Sequence, residues 1–154
     1  MKFLIVNVGK TTEEYLKEGI GIYMKRLLNY VAVSEIIIPP SKSKENKKAM
    51  DDEAGQIMLK ILPGDFIVVL DEKGVEKTSR QLASLFDKWM VQGINRVVFI
   101  TGGAFGVSPK LKEKASLIFS LSKLTFTHQM VRLLLMEQLY RAMTITRNEG
   151  YHHD

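Results

Sequence analysis

Hydrophobic residues along the chain alternate between short continuous runs and helical spacing. Runs nearly continuous in β-favouring residues are typical of strands covered on both faces. They occupy residues 3–8, 31–38, 66–70 and 97–100, with a less apolar run at 116–121. Apolar residues at helical spacing separate the runs, as at 50–61 and 82–89. Strands that alternate with helices predict crossover connections, and therefore a single-domain parallel α/β sheet with helices on both faces over residues 1–154.

Three short patterns predict where helices begin. Thr11 and Glu14, and again Thr78 and Gln81, have the spacing of a capping box. Ser108 followed by a proline is typical of an N-cap residue with proline at the first helical position. Pro63-Gly64 and Gly93 are expected to end the second and third helices.

A glycine-rich loop follows the most apolar strand, with Gly102, Gly103 and Gly106 directly after the run at 97–100. Glycine lets the backbone approach a ligand closely, so this loop favours a ligand site and a tight ligand-free turn about equally. The segments after Leu70, including a predicted loop at 71–74, and after Leu121 should emerge at the same edge of a parallel sheet. Because ligands bind at that edge, the three segments together favour a ligand site.

The last predicted helix, at 128–145, carries an arginine on its apolar face. Arg132 lies among apolar residues, with His128 one turn before it. A buried guanidinium needs an anionic or carbonyl partner. Two interpretations stay open, a carboxylate across a subunit contact and a position facing RNA or cofactor. The tail at 148–154 is either disordered or folded over the site, where Tyr151 would stack on a base.

Composition narrows the function classes. Twenty-two Lys and Arg against 17 Asp and Glu give a net charge of +5, which suits an anionic partner such as RNA. The lysine-rich segment at 41–48 is interpreted as solvated surface in preference to a phosphate-binding patch. Without cysteine there are no disulfides, thiolate nucleophiles or cysteine-ligated metals, and the three histidines lack zinc-helix spacing. No metal is therefore expected.

Targeting and nucleotide motifs are also missing from the sequence. The N-terminal apolar run is too short for a signal peptide, and no run approaches the roughly 18 residues of a membrane helix. A cytoplasmic protein with no membrane partner is expected. The patterns G-x-G-x-x-G, G-x-x-x-x-G-K-[ST] and G-x-S-x-G do not occur, which argues against dinucleotide, P-loop and hydrolase sites.

Several separated motifs occur in a fixed order along the chain. They are Val8-Gly9, Leu70-Asp71 with Gly74, Gly102-Gly103 with Gly106, Leu121-Ser122-Lys123-Leu124-Thr125-Phe126, His128-Gln129-Met130-Val131-Arg132, Glu137-Gln138-Leu139-Tyr140-Arg141-Ala142 and Tyr151-His152. This set resembles the RlmH-type (YbeA-like) members of the SPOUT methyltransferases, from Met1 to Asp154. Two departures are visible: Thr127 stands where many members have proline, which could loosen the start of the last helix. His153 stands where a basic residue is common, which could weaken a phosphate contact.

The resemblance implies a C-terminal trefoil knot, a homodimer and an S-adenosyl-L-methionine-dependent methyltransferase. It implies methylation at N3 of pseudouridine 1915 of 23S ribosomal RNA within the assembled ribosome. The cofactor positions it implies are Leu70, Gly102, Gly103, Leu121, Ser122, Lys123, Leu124, Thr125 and Phe126.

The chemistry of methyl transfer to a pseudouridine N3 needs a base or an anion-stabilising group. His128 and His152 are the candidate bases, Arg132 is the candidate anion stabiliser, and Arg132, Tyr151 and His152 are candidate RNA contacts. Two alternatives stay open, a non-enzymatic ribosome- or RNA-binding α/β protein and a nucleotide-binding regulator.

Overall fold

The computed structural model describes residues 1–153 and contains one five-stranded, wholly parallel sheet. The strands are β1 (Lys2–Val8), β2 (Ala32–Ile38), β3 (Phe66–Glu76), β4 (Arg96–Thr101) and β5 (Leu117–Ser120). The helices are α1 (Glu14–Leu27), α2 (Asn46–Met58), α3 (Ser79–Val91), α4 (Pro109–Glu113) and α5 (His128–Thr146). The strand order β2-β1-β4-β3-β5 places the first strand beside the fourth. The predicted parallel α/β sheet is confirmed.

Two apolar cores lie on opposite faces of the sheet. Helices α1, α3 and α5 cover one face, where Phe3, Phe86, Trp89 and Phe99 form a group of mutually packed rings. Helices α2 and α4 cover the other face over alternate strand residues such as Val6. Alternation follows from the two-residue period of a strand, and burial of both faces explains the continuous apolar runs.

Two of the three predicted helix starts are confirmed. Thr78 and Gln81 form a capping box, and the Ser108 side chain accepts a hydrogen bond from the backbone of Leu111. The capping box predicted at Thr11 is wrong, because α1 begins at Glu14 without a side-chain cap. The Thr11 hydroxyl instead accepts a hydrogen bond from α5, described below.

Strand β3 is longer than its apolar run. The loop predicted at 71–74 is wrong, since the chain continues as strand to Glu76 after a register shift between Leu70 and Val75. A Cβ on Gly74 would lie 2.7 Å from the carbonyl oxygen of Ile118. A glycine at this position therefore lets β5 approach the polar end of β3, a contact that a hydrophobicity pattern does not show.

The carboxyl ends of β3, β4 and β5 meet at one edge of the sheet, which is where the functional site is expected. Helix α2 starts at Asn46 and ends at Met58, earlier than the predicted end at Pro63-Gly64. The C-terminal knot stays a prediction. Among residues 1–153, no helix combines the length and apolar character needed to cross a bilayer.

Candidate active site

A cavity of about 530 Å³ lies at the carboxyl edge of β3, β4 and β5, beside the start of α5. Its volume falls in the range of small-molecule sites, roughly 300–1,000 Å³. Most of the residues expected at the cofactor come together in its wall: Leu70, Gly102, Gly103, Leu121, Ser122, Leu124 and Phe126. Lys123 and Thr125 do not line it, and both are exposed. Three segments far apart in sequence therefore enclose one space.

The glycine loop folds back on itself at the end of β4. The Gly106 amide donates to the Gly103 carbonyl at 3.0 Å, and Gly106 has a positive φ of 84°. A Cβ on Gly102 would lie 2.6 Å from the carbonyl carbon of Gly106. A side chain at position 102 would therefore collide with the loop's own main chain. The sequence alone suggests a different reason for a glycine here, the close approach of backbone to a ligand. A Cβ on Gly103 would lie 3.2 Å from Glu53 Oε2 on α2.

Charged side chains surround the mouth of the cavity. Asp71 at the end of the apolar part of β3 pairs with Lys112 on α4. Burial alone would raise the pKa of Asp71, but the Lys112 ammonium and the Lys73 amide hold it below its usual value. Glu72 accepts a hydrogen bond from Thr125 at 2.9 Å, which ties β3 to the segment before α5. Hydrophobicity patterns do not identify these residues because their partners are distant in sequence.

His128 is the first residue of α5 and lines the cavity. Burial lowers the pKa of its imidazole below the usual 6.5, the charge of Arg132 lowers it further, and Glu53 opposes the shift. Its side chain is therefore a neutral imidazole at pH 7. Thr127 is the N-cap of α5, and its hydroxyl accepts a hydrogen bond from the Met130 amide at 3.2 Å, so the start of this helix is capped.

Arg132 is buried, with 1% of its surface exposed, and its partners lie within the same chain. Its guanidinium donates to the carbonyl oxygens of Val8 at 2.6 Å and Gly9 at 2.9 Å, and to the Thr11 hydroxyl at 3.0 Å. The turn after β1 thus offers two carbonyls that sequence spacing does not reveal. Arg132 Nε is buried without a hydrogen-bond partner among the described residues. The contact between Arg132 and RNA stays a prediction.

The C-terminal tail lies along α5 at the end remote from His128. The Arg141 guanidinium sits over the Tyr151 ring at 4.7 Å, and it lies 3.4 Å from His152 Nδ1. Arg141 also pairs with Glu137, which accepts a hydrogen bond from the Tyr151 hydroxyl at 3.1 Å. The helical path from His128 to Arg141, at 1.5 Å per residue, is about 20 Å long. The tail thus does not cover this chain's own cavity, and Asp154 lies outside the described residues.

Exposed lysines lie at the same edge of the sheet: Lys42 and Lys44 on the β2–α2 connection, and Lys47 and Lys48 in the first turn of α2. The connection is anchored by Ser41, whose amide donates to Glu53 Oε1 at 3.1 Å. Because Glu53 also abuts the glycine loop, this connection is held close to the cavity. Within residues 1–153 no cluster of His, Asp and Glu has the arrangement of a metal site.

A family model described as a predicted SPOUT methyltransferase matches residues 1–152. The chain is 43% identical to the ribosomal RNA large subunit methyltransferase H of Parabacteroides distasonis, with 100% of both chains covered. It is 42% identical to the protein of that name from Desulforamulus reducens, with 99% of each covered. A solved structure of a probable methylase family protein from Haemophilus influenzae has a TM-score of 0.55, covering 99% of this chain and 70% of that one. Its 9% identity shows a likeness of fold alone.

Proposed function

The chain belongs to the SPOUT methyltransferase family, and from that membership we propose that it methylates large-subunit ribosomal RNA with S-adenosyl-L-methionine. The proposed target is N3 of a pseudouridine in the assembled ribosome. The observation that carries the proposal is the cavity itself, because the family's motif positions from three separate segments enclose one volume of about 530 Å³. A non-enzymatic RNA-binding protein has no need of such an enclosure.

The lining suits this cofactor. Apolar side chains at Leu70, Leu121 and Phe126 offer surface to an adenine ring, and Gly102 and Gly103 expose main chain. Asp71 and Lys112 pair with each other at the rim, and this pair offers a carboxylate to the ammonium end and an ammonium to the carboxylate end of an amino acid. When bound, the cofactor supplies an electrophilic methyl group on a sulfonium. The chain's own task is to hold the reacting groups in line, since positioning contributes several kcal/mol of barrier reduction.

His128 is the proposed base at this site. The N3 nitrogen becomes a good nucleophile only after losing its proton, and an imidazole nitrogen that is neutral at pH 7 accepts it. His128 meets both conditions, because it lines the cavity and its pKa is lowered by burial and by Arg132. Arg132 acts as a positioning residue in this scheme, since its donors hold the turn after β1.

A second copy of the chain completes the proposed site. Tyr151 and His152 lie near Arg141, about 20 Å along α5 from His128, so one chain cannot bring both histidines to one base. In the proposed homodimer, the tail of one protomer serves the cavity of the other. The exposed lysines 42, 44, 47 and 48 would contact RNA phosphates near the same edge.

Two measurements test the proposal. Calorimetry should detect binding of S-adenosylmethionine and S-adenosylhomocysteine, and tritiated methyl groups should pass to large-subunit RNA when ribosomes lacking the modification are supplied. Absence of heat from both ligands would support the non-enzymatic alternative and refute the methyltransferase. Binding with methyl transfer to protein or to small-subunit RNA only would refute the proposed substrate while leaving the cofactor in place.

A further inference from the structure

We infer that the Thr101 hydroxyl is a hydrogen-bond acceptor with a fixed orientation in the cofactor cavity, and that it selects a donor group of the cofactor. The inference rests on the proposed function, because it assigns a role within that cofactor site. Thr101 is the last residue of β4, directly precedes Gly102 and lines the cavity.

A chain of short hydrogen bonds crosses three neighbouring strands at this edge. The Thr101 hydroxyl donates to Asn7 Oδ1 at 2.6 Å, and Asn7 Nδ2 donates to Glu35 Oε1 at 2.6 Å. Thr101 on β4 and Asn7 on β1 are register partners and are 1% and 2% exposed. Glu35 is on β2 and reaches the exposed surface. The polar chain therefore runs from the cavity wall through the sheet to a carboxylate outside.

The direction of every bond in this chain follows from its outer end. An ionised carboxylate can only accept, so the NH₂ group of Asn7 must face Glu35. The Asn7 carbonyl oxygen must then face Thr101, and the Thr101 proton must point toward Asn7. Only oxygen lone pairs remain for other partners of Thr101. A threonine hydroxyl usually rotates to donate or accept, and here that choice is removed.

The Arg132 guanidinium on α5 lies close enough to Glu35 for the two charges to interact. The Glu35 carboxylate raises the pKa of Arg132, although burial of the guanidinium lowers it by more. Glu35 is therefore opposed by a fixed positive charge on α5. The cluster of Asn7, Thr101, Glu35 and Arg132 joins β1, β2, β4 and α5 beneath the cavity edge.

An acceptor at this position binds a hydrogen-bond donor of the cofactor and disfavours a cofactor group that presents only a lone pair. S-adenosylmethionine carries few donors: the adenine amino group, two ribose hydroxyls and the α-ammonium. A buried acceptor discriminates against an analogue that lacks the matching donor, because its own lone pair is left unpaired. Thr101 is thus proposed as a specificity-determining residue that reads one of these groups.

The test measures how the affinity changes when the Thr101 side chain and the ligand are altered separately and together. Thr101→Val should bind S-adenosylhomocysteine about tenfold more weakly than the original protein by calorimetry, whereas Thr101→Ser should stay within about threefold. The matched control is Thr144→Val, which removes a fully buried threonine hydroxyl bonded to the Arg141 carbonyl on α5. It should lower the melting temperature without altering affinity.

Ligand analogues then identify the donor. The analogue of S-adenosylhomocysteine with unsubstituted purine in place of adenine, the 2′- and 3′-deoxy forms, and the form without the α-amino group each lack one donor. For one of them, Thr101→Val should cost no further affinity, because the missing bond is already lost. If Thr101→Val is poorly folded, Thr101→Ala is measured with the same ligands.

The two proposals fail in different ways. An unchanged affinity of Thr101→Val, or a loss of affinity that adds equally to every analogue, would overturn the acceptor role while the cofactor site stands. Absence of binding by the unsubstituted protein would overturn the proposed function itself.

Discussion

Replacing Arg132 by methionine should destabilise the protein strongly. The substitution removes three hydrogen bonds from a charged donor and leaves the carbonyls of buried Val8 and half-buried Gly9 without this partner. Such bonds are worth about 1.5–3 kcal/mol each. Part of the stabilisation from these bonds is offset in the original protein, because burial of the Arg132 guanidinium is itself unfavourable and lowers its pKa. We therefore expect a net loss of about 2–4 kcal/mol in the free energy of unfolding.

Thermal and urea denaturation followed by circular dichroism measure this loss. For a chain of this size 1 kcal/mol corresponds to about 2–4 °C, so the melting temperature should fall by about 5–15 °C. Arg147→Met is the matched control, since it makes the same chemical change at the exposed C-cap of α5 and should shift melting little. If Arg132→Met melts with the original protein yet loses methyl transfer, the supporting role is refuted and Arg132 acts directly on substrate.

Three further predictions concern the glycine loop, the proposed base and a distant ion pair. Gly102→Ala should weaken cofactor binding at least tenfold, because its Cβ would overlap the Gly106 main chain, whereas Gly55→Ala in α2 has open space and should bind normally; equal calorimetric affinities would contradict this. The pH profile of kcat/KM should fall only below pH 6.5, since the lowered pKa of His128 keeps its imidazole neutral above that value, and an inflection above 7 would exclude it as the base. Arg96 holds the pKa of Asp65 below 3.8 against the opposing effect of burial, so the stabilisation is complete above pH 3.8 and is lost as pH falls through the lowered value. Asp65→Asn should cost about 1–3 kcal/mol at pH 7 and little at pH 2 by urea denaturation, and an equal cost at both would refute the ion pair.

The strands and most helices are predictable because their signal is local. The continuous apolar runs follow directly from a sheet covered on both faces, and the capping box at Thr78 needs only four residues of sequence. The prediction of a loop at 71–74 is wrong because the conformation of this segment depends on a contact with a distant strand. It is polar and contains glycine, which is typical of a loop, yet the missing Cβ of Gly74 is what lets β5 pack against it.

The sequence predicts which segments meet at the site, but it does not predict which side chains contact one another there. Parallel topology brings the segments after Leu70, Thr101 and Leu121 to one edge, so the cavity wall follows from the strand order. The partners of Arg132 lie more than 100 residues away at Val8 and Gly9, and no spacing rule indicates them. Periodicity shows that this arginine is buried and leaves its partner undetermined.

The position of the C-terminal tail also depends on contacts that sequence spacing does not indicate. The sequence leaves the tail either disordered or folded over the site, whereas Glu137 and Arg141 on α5 offer Tyr151 a hydrogen bond and a cation–π contact. The i, i+4 spacing of Glu137 and Arg141 on a helix indicates only an ion pair between them. Their second role depends on where the chain turns after α5, which an unpatterned polar segment does not reveal.

Nucleoside mass spectrometry of ribosomal RNA tests the central claim most directly. Ribosomes lacking the modification are incubated with the protein and S-adenosylmethionine, and a matched set carries uridine in place of the target pseudouridine. The account predicts one N3-methylated pseudouridine in the large-subunit RNA of the first set and none in the second, with His128→Ala strongly reduced. Methylation of both sets alike, or at a different atom of the base, would contradict it.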